Sequence, residues 1–99
     1  MPNPHLTKGF RLAATVLIDN YWIPQQEVER YLARRQYWSQ RLMTYMSQAG
    51  WQAQLDFEGS QDGLAVLGLD AQGQIQALIH LDPANLTALE AGIAPEELF

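Results

Sequence analysis

The chain has 99 residues, no cysteine, 47% hydrophobic and 17% charged side chains, and a formal net charge of −5. That length fits one domain, and the apolar content is too high for intrinsic disorder. The lack of cysteine excludes a disulfide framework, a thiol nucleophile and cysteine-ligated zinc.

The charge is unevenly spread. Residues 1–49 hold six cations and three acids, a balance of +3, and residues 50–99 hold eight acids and no Lys or Arg, a balance of −8. The halves meet at Gly50. Phosphate contacts need Lys and Arg, so a nucleic-acid partner is not expected. No apolar run reaches the roughly 18–20 residues of a membrane span, so no membrane insertion is expected. The longest run, Leu12 to Ile18, has no small-residue cleavage site, so the expected setting is the cytoplasm.

Residues 1–7 contain two prolines and read as an extended tail. Residues 8–22 fit two patterns. Strict alternation places Phe10, Leu12, Ala14, Val16 and Ile18 on one side of a strand. Helical spacing groups Phe10, Ala13, Ala14, Leu17 and Tyr21. The Ala13-Ala14 pair and the length of the segment favour the helix. Trp22, next to a chain break, reads as a staple plugging the core, with a partner contact as its other reading.

Pro24 suits the first position of a helix. Residues 25–49 then run without Gly or Pro, and Gly50 fits the stop. Val28, Tyr31, Leu32, Trp38, Leu42, Tyr45, Met46 and Ala49 recur at spacings of three and four, which predicts one long amphipathic helix.

After Gly50 the period changes to two. Trp51, Ala53, Leu55 and Phe57 alternate with polar residues, residues 59–63 form a turn, and residues 64–69 read as a central strand. Asp70-Ala71-Gln72-Gly73 is a hairpin turn. Residues 74–81 alternate again, with Ile75, Ala77, Ile79 and Leu81 facing inward. Asp82-Pro83 opens a short helix over residues 84–91 that stops at Gly92, and residues 95–99 form an acidic, apolar turn or tail. The expected fold is α+β. One long amphipathic helix packs on a three-stranded antiparallel meander, with a short C-terminal helix, and a fourth strand joins if residues 10–18 extend. Residues 1–99 form a single domain.

No catalytic set emerges. His5 lies in the proline-rich tail. His80 lies on the outward side of a strand with no second ordered histidine, weak grounds for a metal or a general base. Ser39, Ser47 and Ser60 lack a nucleophile-elbow context. Asp56, Glu58 and Asp62 do not match a calcium loop, so no metal and no cofactor is expected.

The long helix is more informative. At 100° per residue, Glu27, Arg30, Arg34, Tyr37, Arg41, Thr44 and Gln48 share one stripe. The bland reading is a solvated face held by pairs such as Glu27 with Arg30. The functional reading is a basic ridge with an exposed tyrosine, and Arg30, Arg34, Tyr37 and Arg41 are its partner-contact candidates. Arg35 breaks the pattern by projecting into the apolar stripe. It is expected to pair internally with Asp56 or Glu58. On the outward side of the sheet, Leu67 and Leu69, or Leu64 and Val66 if the register is reversed, lie between a polar edge and one with Gln76, Leu78 and His80. Segment 8–22 or the C-terminal helix covers this face, or else Leu67, Leu69 and Leu78 are further partner-contact candidates.

The function expected is that of a small acidic, non-enzymatic protein-interaction module: an adaptor, assembly chaperone or inhibitor. Its partner is another protein or a second copy of the chain. A homodimeric accessory protein is the alternative. A small-ligand domain using Arg35, Asp56 and His80 between helix and sheet is the third reading. Eleven glutamines against one lysine give a composition that resembles small accessory proteins of cyanobacteria. The resemblance spans the whole chain and rests on no motif. It implies a photosynthetic or carboxysome assembly role and no residue-level assignments.

Overall fold

The computed structural model describes residues 14–18, 21–56 and 64–99. The gap-free apolar repeat after Pro24 forms the dominant element. A 3-10 turn, Gln25–Glu27, leads into helix α1, Val28–Gln48. Gly50 ends it at φ +89°, a backbone state that costs glycine little. The core-facing line of α1 is Tyr31, Leu42 and Met46, all at most 2% exposed.

Strands β3 (Gln52–Asp56), β4 (Ala65–Leu69) and β5 (Ile75–His80) form the expected antiparallel meander in the order β3-β4-β5. The register aligns Leu55, Val66 and Ile79 across one face, and Ala53, Gly68 and Ala77 beside them. This face meets α1. A Cβ on Gly68 would lie 2.8 Å from Cε3 of Trp51 and 3.0 Å from Sδ of Met46, so glycine is required for the close approach of the helix. Gly73 closes the β4–β5 turn at φ +77°. Its N–H donates to the Asp70 carbonyl at 3.0 Å.

The C-terminal helix α2, Pro83–Glu90, starts as its sequence predicts. The Asp82 carboxylate accepts from the Asn85 N–H at 2.7 Å, and Pro83 occupies the first turn. Leu86 and Leu89 are buried under it. The Tyr31 hydroxyl donates to the Leu81 carbonyl at 3.2 Å, tying α1 to the chain just ahead of α2. Burial raises the pKa of that phenol. Residues Pro95–Leu98 form a closing 3-10 turn.

Four expectations change. The helix favoured over residues 8–22 is replaced, over its described residues, by a hairpin of β1 (Thr15–Ile18) and β2 (Tyr21–Pro24). The β-branched residues Thr15, Val16, Ile18 and Ile23 outweigh the alanine pair there. β1 does not join the meander as a fourth strand: among the described residues β1 and β2 pair only with each other, in a separate sheet.

Trp22 is not a core staple. The hairpin register puts Val16 with Ile23 and Leu17 with Trp22. Alternate residues face opposite sides, so Ile23 is buried at 5% exposure while Trp22 is 68% exposed. Ile75 does not face inward either. A bulge at Gly68/Leu69 pairs Leu69 with Ile75, which shifts the alternation and leaves Ile75 57% exposed.

Candidate functional site

Along one flank, α1 faces α2 and the segment after it, and here most of the ridge predicted on α1 is found. Two adjoining grooves meet at Trp38. The larger, about 570 Å³, runs between Arg41, Tyr45 and Gln48 of α1 and Leu89, Ile93 and Pro95. The smaller, about 430 Å³, lies among Ala33, Arg34, Tyr37, Trp38 and Glu90. Tyr37 is 51% exposed and Ile93 41% exposed.

The ridge cations differ in their engagement. Arg34 makes two parallel hydrogen bonds to Glu90, Nε to Oε2 at 2.8 Å and Nη2 to Oε1 at 2.7 Å. That bond and the opposite charge hold the Glu90 carboxyl below the usual range and raise the Arg34 pKa. Arg34 is therefore a strut between the helices. Arg30 is exposed and close enough to add to the depression of the Glu90 pKa.

Arg41 is bound differently. Its guanidinium carbon lies 5.4 Å from the centre of the Tyr37 ring and 5.3 Å from that of Trp38. Its Nη1 donates to the Tyr37 hydroxyl at 3.0 Å. The two rings meet edge to face, 5.4 Å apart at 84°. Among the described residues Arg41 makes no ion pair; the one salt bridge there is Arg34–Glu90. The cluster presents an oriented cation on an aromatic shelf at the wall of the groove.

The far end of the groove is fixed by the C-terminal turn. The Tyr45 hydroxyl donates to Oε2 of Glu96 at 2.7 Å. Phe99 packs edge-on against Tyr45 and Trp51, at 6.2 and 6.0 Å. The Tyr45 bond is the main cause of the lowered Glu96 pKa.

The other predicted residues lie elsewhere. Trp22 and Leu17 form an exposed pair on the hairpin. Leu67 and Leu78 share a row with Gln54 on the sheet face away from α1, and Leu69 shares the next with Gln52. Leu67 is only 7% exposed, so the centre of that face is closed. Asp56, Ala65 and His80 make a third row. His80 carries a buried Nδ1 with no hydrogen-bond partner among the described residues.

Arg35 is half-buried with its guanidinium 6.0 Å from the Tyr31 ring centre. Desolvation lowers its pKa. Glu58, one of its two expected partners, lies outside the described residues, as does Phe57. Among the described residues, no three His, Cys, Asp or Glu come together to hold a metal.

Glu90, Ile93 and Pro95 are the parts of the site that the sequence reading missed. One signal existed for Glu90. An acid in the last turn of a helix opposes the helix dipole and implies a compensating cation. Ile93 and Pro95 lie in irregular backbone, where no period marks a face.

Among the described residues no helix is long and apolar enough to cross a membrane. Comparison with known proteins matches the chain to no protein family, no curated protein and no solved structure.

Proposed function

We propose that the protein is a small non-enzymatic interaction module that docks an acidic segment of another protein in the α1–α2 groove. The observation that carries this reading is the Arg41 cluster. A guanidinium is held against two aromatic rings, without an ion pair among the described residues, at the edge of an apolar groove. A carboxylate on the incoming segment completes Arg41, and an adjacent apolar side chain enters between Trp38 and Ile93. Arginine, tyrosine and tryptophan are the residue types that dominate binding energy at interfaces. Arg30 and Arg41 are the cations of this ridge without an ion pair among the described residues, and they supply the local attraction for an acidic segment.

The test is paired capture from source cells with the wild-type protein and Arg41→Glu, analysed by quantitative mass spectrometry. The reading expects a stoichiometric protein that is recovered by the wild type, lost with Arg41→Glu, and weakened by salt. It is overturned if recovery is the same with both proteins or if nothing is recovered in stoichiometric amount.

A further inference from the structure

Among the described residues, the three-stranded sheet ends on one side at β3. Among the described residues β3 pairs only with β4. In an antiparallel ladder alternate residues of the outer strand direct their N–H and C=O groups away from the partner. Natural edges are usually blunted by Lys, Pro, a bulge or a covering segment. The β3 strand, Gln52-Ala53-Gln54-Leu55-Asp56, contains no Lys or Pro, and its register with β4 is unbroken over all five residues.

Above this edge lies a shallow groove lined by Met43, Thr44, Ser47, Gln48 and Ala53. All five are uncharged, in a chain with a net charge of −5. The only charge on β3 itself is Asp56. A partner copy necessarily brings the same charges, so self-association is favoured where a surface has none to oppose.

We infer that β3 is the interface of a two-fold symmetric homodimer, in which two copies pair β3 antiparallel and form a continuous six-stranded sheet. The strand is self-complementary about Gln54. Pairing on that centre sets Gln54 opposite Gln54 of the second copy, Gln52 opposite Asp56, and Ala53 opposite Leu55. No like charges face each other. The half-buried Ala53 and Leu55 stay on the helix-covered face in both copies and are covered further by the pairing. The flanks of the two α1 helices approach across the same axis, where Met43 is the one large apolar side chain, set among small and uncharged polar neighbours. The contact is small beside the roughly 20–30 residues per side of a standard interface, so the dimer is weak and dissociates on dilution. The two grooves share Thr44 and Gln48 at their rims, but Trp38 and Arg41 line only the α1–α2 groove, so the contact does not depend on the Arg41 cluster.

The experiment is sedimentation velocity from about 10 to about 500 µM, the range in which a small interface exchanges, on the wild type, Gln54→Lys and Arg41→Glu. Gln54 is exposed, so its replacement leaves the monomer fold intact, checked by circular dichroism. The wild type and Arg41→Glu are expected to shift from monomer to dimer with concentration. Gln54→Lys, which puts two ammonium groups on the axis, is expected to remain monomeric. As the chain has no native cysteine, Gln54→Cys provides a second readout: oxidation yields a covalent dimer, whereas Gln72→Cys in the exposed β4–β5 turn does not. A wild type that stays monomeric throughout overturns the inference. So does a dimer that Gln54→Lys leaves unchanged.

Discussion

Arg34 and Glu90 join the long helix to the C-terminal helix through two parallel hydrogen bonds of 2.8 and 2.7 Å. The pair fixes the spacing of the walls between which Tyr37 and Trp38 are presented. Glu90 is 38% exposed, so solvent screening limits the pair to at most about 1 kcal/mol. Its folded pKa is depressed. The stabilisation is therefore present above the ordinary glutamate pKa of about 4.3 and lost as pH falls through the folded value. Glu90→Gln is expected to lower stability by about 0.5–1 kcal/mol at pH 7 and by nothing measurable near pH 2.5. Urea denaturation at the two pH values checks this. An equal loss at both would show that the charge is not what matters.

Gly68→Ala is expected to cost about 1–3 kcal/mol, because the added methyl meets the Trp51 ring at 2.8 Å. The Met46 sulfur, at 3.0 Å, is on a flexible side chain that can shift, but the ring edge is rigid. Trp51→Leu should therefore reduce the cost of the added methyl. A thermal double-mutant cycle that finds the two changes additive would contradict this account of how α1 seats on the sheet.

Trp22→Ser is expected to change stability by less than about 0.5 kcal/mol, the usual range for surface positions. Ile23→Ala, one residue along, should cost about 2–5 kcal/mol, because Ile23 belongs to the core. Chemical denaturation of the two variants checks the hairpin register directly. The opposite order would mean that Trp22, and not Ile23, faces the core.

These elements also show what could be read from the sequence. The long helix, the meander, the Asp70–Gly73 turn and the Asp82 cap were legible because each depends on local chemistry: a period, a glycine, a short acid before a proline. The side occupied by Ile75 was not, since a bulge is a property of the pairing between strands. Trp22 was misassigned for a related reason. Its side is set by the partner strand, and residues 8–22 carry helix and strand signals of similar strength. The ridge on α1 was visible as a stripe, but the difference between Arg34 and Arg41 depends on Glu90, which lies 56 residues from Arg34.

Tyr45→Phe removes the hydroxyl that anchors Glu96. The Glu96 carboxyl is then expected to titrate closer to the ordinary glutamate range. Amide exchange at Glu97, whose N–H donates to the Ala94 carbonyl, should quicken as the closing turn frays. NMR titration and hydrogen exchange read both changes. An unmoved Glu96 titration would show that Tyr45 does not hold it.

The central claim is that a partner protein occupies the groove beside Arg41. Hydroxyl-radical footprinting of the captured complex against the free protein tests it most directly, because the side chains concerned are readily oxidised aromatics. The account predicts strong protection of Tyr37 and Trp38, with Trp22 oxidised equally in both states. Protection of Trp22 with Tyr37 and Trp38 unchanged would contradict it and move the docking surface to the hairpin.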